Sequence, residues 1–214
     1  MGGLVYSANI EAYDSPKAVH VKDDDVTYLM ASNHLVPGGW DTYIPKGKHA
    51  PQVQARKIKV MGPHLFPDHD WYLWLDATMQ IKHSIKDLIK HCVDSEHDFA
   101  AFKHNEFDCA YEEIAACGRR KKDTMVNLTK AGRLLVKEKL PRHFGQAATG
   151  ILFRKNTDLV LAHALAWWLD MQSTTMRDQC TFMLNVKNHD AYVEWLPGLH
   201  TKNKWFDYKR GHLK

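Results

Sequence analysis

The sequence lacks the features that would carry the chain across a membrane or mark it for secretion. Its longest apolar runs fall far short of the roughly 20 residues that a spanning helix needs. Residues 1–6 contain neither a basic segment nor an apolar core, so no signal peptide is predicted. We therefore expect a soluble, cytoplasmic protein without a membrane span.

Cysteines are few, and their spacing excludes common disulfide and zinc frameworks. None of the four forms a C-x-x-C pair or a metal knuckle. Cys92 and Cys180 lie in apolar helical patterns, where a free cysteine behaves as a small buried hydrophobic residue. We expect all four, which are Cys92, Cys109, Cys117 and Cys180, to be reduced thiols.

Strong net charge and a glycine-rich phosphate loop are also missing. The 29 basic and 25 acidic residues give a net charge of +4 and are interleaved along most of the chain. A nucleic-acid partner would require a denser basic stripe, so none is predicted. Gly2-Gly3 and Gly38-Gly39 do not form a phosphate-binding loop, which argues against a nucleotidyltransferase.

The elements that are present alternate between strands and helices. At 214 residues the chain fits a single domain, predicted over 1–214. Short runs rich in β-branched and aromatic residues predict strands at 4–10, 26–31, 71–75, 99–103, 150–154 and 192–196. Helical periodicity predicts helices at 84–93, 124–140, 157–171 and 177–186. This alternation predicts an α/β fold with a mostly parallel central sheet flanked by helices.

Three segments carry residues suited to chemistry at the strand ends. Asp76 ends the apolar strand 71–75, where its carboxylate can bind a divalent cation or simply cap a turn. Asp178 follows Arg177 at the start of a predicted helix, where it also complements the helix dipole. His200 precedes Lys202, Lys204 and Trp205, which form either a metal and diphosphate segment or a basic surface tail.

Taken together, these segments resemble GT-A-type glycosyltransferases of the glycogenin-like group. In that group an Asp-x-Asp ends a strand, an Asp-Gln opens a helix and a late histidine precedes Lys-Pro-Trp. Here Trp74 occupies the position of the first aspartate, and the late segment lacks the proline. The resemblance therefore implies metal binding by Asp76, but not the ribose contact of the first aspartate.

A second set of short motifs covers most of the chain. Its segments are Arg56 to Lys59, His64 to Pro67, Trp71 to Thr78, Phe102 to His104, Tyr111 to Glu113, Gly150 to Arg154, Trp167-Trp168 and Arg177 to Gln179. In this order they resemble more closely the glycosyltransferase-like family found in plant Golgi proteins of seed-mucilage and pollen-turgor function. The size and ending of the chain also resemble the N-terminal transferase domain of a chlorella-virus protein that glycosylates the major capsid protein, which implies viral capsid glycosylation in host cytoplasm.

The resemblance implies a role for each candidate residue. Ser7, Asn9 and Tyr13 would contact the nucleotide, and Arg56, Lys202 and Lys204 the diphosphate. Asp76 and His200 would bind Mn²⁺ or Mg²⁺. Mn²⁺ is the preferred ion, because it suits a mixed set of carboxylate and imidazole ligands. Asp178 and Gln179 would be catalytic, lying beneath the anomeric carbon, and His104, Glu112 and Glu113 would hold the sugar or acceptor. Lys59 is interpreted equally well as a surface charge.

The predicted activity is metal-dependent transfer, with retention, of a hexosyl or deoxyhexosyl group from a UDP-sugar. The donor sugar is expected to be glucose or a deoxyhexose such as rhamnose, and the acceptor a glycan or glycoprotein. The nucleotide-binding half spans about 1–80 and the sugar-binding half about 81–214, and further domains are expected C-terminally. The alternatives are a nucleotidyltransferase acting on sugar phosphates and a non-catalytic glycan-binding module.

Overall fold

A computed structural model describes residues 2–47 and 49–208 of the chain. The strands are β1 (Gly3–Ala8), β2 (Val26–Ala31), β3 (Asp41–Tyr43), β4 (Trp71–Leu75), β5 (Met79–Ile81), β6 (Phe99–Lys103), β7 (Ala147–Lys155), β8 (Val193–Leu196) and β9 (Phe206–Tyr208). The α-helices are α1 (Pro51–Leu65), α2 (Lys86–Asp94), α3 (Ala110–Arg119), α4 (Met125–Lys137), α5 (Asp158–Ser173) and α6 (Phe182–Asn188). Two short 3₁₀ turns cover Ile10–Ala12 and Asp178–Cys180.

The central sheet has seven strands in the order β3-β2-β1-β4-β7-β6-β8. Only β7 runs antiparallel to its neighbours β4 and β6, and every other pair in this sheet is parallel. The predicted α/β class with a mostly parallel sheet is therefore confirmed. Strands β5 and β9 form a separate antiparallel pair beside it.

The strand directions bring several chain segments to one edge of the sheet. The carboxyl ends of β1, β2, β4 and β6 lie at this edge, and the antiparallel β7 begins there. The amide of Asp76, just after β4, donates to the carbonyl of Gly150 at 2.8 Å. The amide of His104, just after β6, donates to the carbonyl of Gln146 at 2.8 Å. This edge is where ligands bind in open α/β sheets.

Both faces of the sheet are covered, as the apolar character of its central strands requires. Tyr72 and Trp74 of β4 pack in the cluster that contains Val60 of α1 and Trp167 of α5. Leu73, between them in β4, points to the opposite cluster, which includes residues of α2, β5 and β9. Trp167 and Trp168 of α5 are both core residues, as their place on an apolar helix favours.

Several sequence predictions match closely. The bounds of β2, β4 and β6 are as predicted, and Thr124 and Thr157 cap α4 and α5 by accepting from Asn127 and Val160. All four cysteines are free and buried. No helix in the described part of the chain is long and apolar enough to cross a membrane.

One predicted helix is wrong in its start. Residues 177–186 do not form one helix, because Asp178–Cys180 is a 3₁₀ turn and α6 begins only at Phe182. The backbone breaks at Thr181, whose φ and ψ are −125° and −4°. Asp178 is therefore not in the first turn of an α-helix, and a helix dipole does not explain its position.

Candidate active site

The carboxylate of Asp76 is at the centre of the edge formed by β4 and β7. Its Oδ1 accepts a hydrogen bond from the indole nitrogen of Trp74 at 2.7 Å and lies 3.4 Å from Nζ of Lys59. Gly150 leaves room for it, since a Cβ there would stand 3.1 Å from Oδ2 of Asp76. The side chain is 38% exposed, so one side of the carboxylate faces solvent.

Lys59 is a central residue of this site, and its interpretation as a surface charge is wrong. Its side chain is 1% exposed, and its ammonium lies 2.5 Å from Oδ2 of Asp178. The same ammonium donates to the hydroxyl of Thr149 at 3.2 Å. A buried lysine stays charged only when anionic partners compensate for lost hydration, and here Asp178 and Asp76 provide them.

Asp178 is a buried carboxylate held by two cations and a hydroxyl. Arg56 lies 3.5 Å from Oδ1, Lys59 contacts Oδ2, and Thr149 donates to Oδ2 at 2.6 Å. Burial alone would raise the pKa of Asp178, but Arg56, Lys59 and the Thr149 hydrogen bond hold that pKa well below its usual range. Asp178 is therefore ionised throughout the physiological pH range.

Side chains of the core fix the backbone around Asp178. The indole of Trp167 donates to the Asp178 carbonyl at 3.0 Å. The side-chain amide of Gln179 donates to the backbone carbonyl of Ala147 at 3.2 Å. The side-chain amide of Gln146 donates to the backbone carbonyl of Gln179 at 2.9 Å. The 3₁₀ turn is thus attached to the start of β7, which aims Asp178 into the sheet edge.

A second set of buried contacts positions α1, which carries Arg56 and Lys59. The guanidinium of Arg154 in β7 is fully buried and donates to the carbonyls of Lys59 and Val60 at 2.5 and 2.8 Å. The hydroxyl of Tyr6 donates to the Lys59 carbonyl at 2.7 Å. These bonds hold a middle turn of α1 against the sheet, so the two cations have fixed positions.

His200 lies near Asp76 at the same edge. Its Nδ1 is 3.2 Å from the side-chain oxygen of Asn105, the residue after His104. Burial lowers the pKa of His200, His104 lowers it further, and the negative charge of Asp76 opposes both. The neutral imidazole that results is the form that binds metals.

His104 and Glu113 also lie together, whereas Glu112 stands apart from this pair. Nδ1 of His104 accepts from the amides of Glu106 and Phe107 at 3.3 and 3.2 Å, which places the proton of the neutral ring on Nε2. That nitrogen is 3.8 Å from the buried carboxylate of Glu113. Glu112, the residue of α3 that precedes Glu113, is half-buried.

The predicted nucleotide residues follow β1. Ser7 is buried at its end, and its hydroxyl has no hydrogen-bond partner among the described residues. The Asn9 side chain pairs with the backbone of Asp14 in both directions, at 3.0 and 2.9 Å, so it shapes the loop. The ring of Tyr13 in that loop is 41% exposed.

The two C-terminal lysines have different surroundings. Lys202 is exposed, and its backbone pairs with Leu199 and Asp207. Lys204 instead contacts the carboxylate of Asp87 in α2 and lies 4.6 Å from the ring centre of Trp205. The described contacts thus direct Lys204 to α2 and none of them to Asp76.

The predicted metal ligands Asp76 and His200 lie close enough for the charge of Asp76 to oppose the lowering of the His200 pKa. Within residues 2–47 and 49–208, no group of three or more His, Cys, Asp and Glu side chains is arranged to hold a metal. Two protein ligands suffice when a diphosphate supplies the remaining oxygens. Oδ1 of Asp76 is occupied by Trp74 and Lys59, whereas Oδ2 accepts no hydrogen bond in the described part of the chain.

The chain matches a family of known proteins. The model of the family described as TOD1/MUCI70, glycosyltransferase-like domain, matches residues 49–201. None of the curated proteins compared with the chain matches it significantly.

A solved structure shares the fold. The structure of the WbbM bifunctional glycosyltransferase is similar with a TM-score of 0.51 at 11% identity, over 92% of this chain and 38% of that one. The chain thus spans well under half of that protein. Mouse xyloside xylosyltransferase 1 has a TM-score of 0.49 at 8% identity, over 91% of this chain and 84% of that one. The predicted GT-A fold is confirmed.

Four residues of this edge were not among the candidates predicted from sequence: Lys59, Trp74, Thr149 and Asn105. Lys59 had a detectable signal, since it is three residues after Arg56 and would share its face if the segment were helical. Trp74 stood out only as a departure from the Asp-x-Asp pattern. For Thr149 and Asn105 we find no sequence signal beyond their closeness to Gly150 and His104.

Proposed function

Because the chain belongs to the TOD1/MUCI70 glycosyltransferase-like domain family, we propose that it transfers a glycosyl group from a UDP-sugar to a glycan or glycoprotein acceptor. The observation that carries the proposal is the cluster of Asp76, Lys59, Asp178 and Arg56 at the carboxyl edge of a GT-A sheet. A half-exposed carboxylate beside one buried and one partly exposed cation suits a metal-bound diphosphate. Family membership supports glycosyl transfer, and the donor and the metal are the proposed refinements.

Asp76 and His200 would hold Mn²⁺ or Mg²⁺, with Oδ2 of Asp76 as the available oxygen. When bound, the cation would act as a Lewis acid toward the departing diphosphate. Trp74 holds the carboxylate by its Oδ1, and no indole contact uses Oδ2 among the hydrogen bonds of the described residues. Asn105 fixes the ring of His200 through Nδ1, which leaves Nε2 for a ligand.

The cations of α1 would stabilise the charge of the donor. Arg56 is partly exposed and only 3.5 Å from Asp178, so its remaining guanidinium donors can reach phosphate oxygens. Lys202, which is exposed, and Lys204, after exchanging Asp87 for a phosphate, are further candidates. Ser7, Asn9 and Tyr13 would line the nucleoside end, with the unpartnered Ser7 hydroxyl as a hydrogen-bonding group.

We propose that transfer retains the anomeric configuration, with Asp178 and Gln179 beneath the sugar. Both carboxylate oxygens of Asp178 are engaged by Arg56, Lys59 and Thr149. An oxygen held in this way is a poor nucleophile but keeps a full negative charge. Asp178 would therefore stabilise positive charge on the sugar during front-side displacement, which we favour over a covalent intermediate.

His104, Glu112 and Glu113 would contact the sugar or the acceptor. Since Nδ1 of His104 accepts backbone hydrogen bonds, its Nε2 is the group that can donate to a sugar hydroxyl or to Glu113. Glucose or a deoxyhexose such as rhamnose is the proposed donor sugar. A role in viral capsid glycosylation stays a prediction.

A donor screen tests the proposal and separates it from its alternatives. The melting temperature is measured with Mn²⁺ and each of UDP-glucose, UDP-rhamnose, UDP, a sugar 1-phosphate with UTP, and free oligosaccharides. Stabilisation by a UDP-sugar, with slow release of UDP, supports the proposal. Pyrophosphate release from UTP would instead indicate a nucleotidyltransferase, and stabilisation by oligosaccharides alone a glycan-binding module.

The stereochemistry needs a separate measurement. Proton NMR of the first-formed product reports the anomeric configuration before mutarotation. Retention is expected, whereas inversion would refute the placement of Asp178 beneath the sugar but not the UDP-sugar donor.

A further inference from the structure

The positive charge of the chain is concentrated in one segment. Residues 119–142 contain nine basic and two acidic residues, a net charge of +7. The rest of the chain contains 20 basic and 23 acidic residues, a net charge of −3. The overall charge of +4 therefore conceals a strongly basic region, which extends from the end of α3, along α4, to the loop that follows.

These basic side chains are available to a partner. All nine are exposed: Arg119, Arg120, Lys121, Lys122, Lys130, Arg133, Lys137, Lys139 and Arg142. Only two of them are in ion pairs with the described residues, Arg120 with Glu106 and Lys137 with the adjacent Glu138. The site at the sheet edge uses none of them.

Between the bases lies an exposed apolar groove. It has a volume of about 910 Å³ and is formed by one side of α3, including Ile114 and Gly118, and one side of α4, including Met125 and Val136. Met125 and Val136 are each about two-thirds exposed, at 66% and 67%. Apolar side chains that are this exposed within a contiguous patch mark an interaction surface.

We propose that this surface, defined as the groove between α3 and α4 with the nine basic residues, docks the domain onto a membrane that contains anionic phospholipids. Amphipathic helices bind such membranes by burying an apolar stripe while their basic residues attract the lipid headgroups. The groove would accept lipid acyl chains, and the bases would lie among the phosphates. Docking of this kind requires no membrane-spanning segment.

The distribution of the charges favours a lipid surface over an acidic peptide. Four bases, Arg119 to Lys122, precede α4, and Lys139 and Arg142 follow it. The 13 residues of α4 extend about 20 Å, so the two basic groups flank the groove at both ends. A charged plane contacts both ends at once, whereas one short peptide would need two acidic clusters at matching spacing.

Vesicle sedimentation with the whole chain tests the proposal. Binding is expected to vesicles of phosphatidylcholine with phosphatidylserine at about 0.1 M NaCl, and to weaken strongly at about 0.5 M. Replacing Lys130, Arg133 and Lys137 by Gln should weaken binding by about fivefold per residue, or about 100-fold together. The matched control replaces the exposed Lys17, Lys46 and Lys90 by Gln, which changes the net charge equally and should leave binding within about twofold.

A second variant tests the apolar part. Val136→Asp should also abolish binding, whereas the control Leu169→Asp, at a 55% exposed position of α5, should retain it. Circular dichroism and the melting temperature verify that each variant is folded. The proposal would be overturned if Val136→Asp or the triple Gln variant lost no more binding than its control. Binding to vesicles of phosphatidylcholine alone that no variant changes would also overturn it. So would a Glu- and Leu-rich helical peptide that binds this surface when the vesicles do not.

Discussion

Removal of the Lys59 ammonium should strongly destabilise the fold, because it leaves a buried carboxylate with too little positive charge. In Lys59→Met the apolar stem is kept, and Asp178, with 4% of its side chain exposed, retains only Arg56 at 3.5 Å and the Thr149 hydroxyl. Breaking a buried pair by removing one partner costs roughly 3–5 kcal/mol. Since Arg56 remains, we expect Lys59→Met to lower the free energy of unfolding by about 3 kcal/mol. This loss is equivalent to a fall of about 6–12 °C in melting temperature.

The pH dependence of this loss has a defined sign. The pKa of Asp178 is lowered in the folded state, so its stabilising contribution is fully present above its unfolded pKa of roughly 3.9 and is lost as pH falls toward the folded value. The difference in unfolding free energy between wild type and Lys59→Met should therefore be constant from about pH 5 to pH 8. Below about pH 4 it should shrink, because Asp178 becomes protonated in the variant first.

Urea denaturation of four proteins measures the effect: wild type, Lys59→Met, Asp178→Asn and the double variant. The double variant should be more stable than the sum of the single losses predicts, by at least about 1 kcal/mol, because the two groups interact directly. Lys57→Met in the same helix is the matched control, with an expected change within about 0.5 kcal/mol. A loss below about 1 kcal/mol in Lys59→Met, or additive single losses, would refute the buried ion pair.

Three further predictions concern neighbouring residues. Trp74→Phe removes the hydrogen-bond donor to Asp76 and should lower the Mn²⁺-dependent affinity for UDP about tenfold, as measured by calorimetry. The control Trp71→Phe should leave this affinity unchanged. Equal affinities of Trp74→Phe and wild type would contradict the role of the indole. Gly150→Ala would place a Cβ 3.1 Å from Oδ2 of Asp76 and should therefore lower the rate of UDP release. In the control Gly132→Ala the new Cβ meets nothing within 4 Å, so the free energy of unfolding should rise by up to about 1 kcal/mol. An unchanged rate of UDP release in Gly150→Ala would mean that Asp76 moves freely. Burial raises the pKa of the Cys92 thiol to about 12. Iodoacetamide at pH 8 should therefore leave Cys92 unalkylated, as measured by mass spectrometry, until urea unfolds the chain. Rapid alkylation of Cys92 in the folded protein would contradict its burial.

Much of the sheet could be predicted because its strands carry dense local signals. Val26–Ala31, Trp71–Leu75 and Phe99–Lys103 are rich in β-branched and aromatic residues, and they were bounded correctly. α1 was missed because Gly62 and Pro63 interrupt its last turn and few of its apolar residues are at helical spacing, although Pro51 is well suited to the first turn. α3 was missed because its buried face consists largely of alanine and cysteine, which give a weak periodic signal.

The candidate site could be predicted only where a residue type limits the chemistry. Asp76, Asp178 and His200 follow apolar segments or stand in motif-like order, so the sequence marks them as candidates. Lys59 could not be assigned, because a lysine in sequence is usually exposed, and only the packing of α1 against β7 by Arg154 buries it. The hydrogen bond from Trp74 to Asp76 likewise depends on the backbone geometry after β4, which the amino-acid sequence pattern does not determine.

The most direct test of the account is Mn²⁺-dependent release of UDP from the UDP-sugar that the donor screen identifies, compared between wild type and Asp76→Asn. The amide of the variant preserves the size of the side chain, and a matched melting temperature would show that the fold is intact. Wild type is expected to turn over with Mn²⁺ and to lose that turnover with EDTA. Asp76→Asn is expected to be at least about 100-fold slower, because losing a ligand should cost no less than the roughly 10–100-fold lost with a residue that only supports one. Equal turnover by the two proteins, or turnover that EDTA leaves unchanged, would contradict a metal-dependent transferase centred on Asp76.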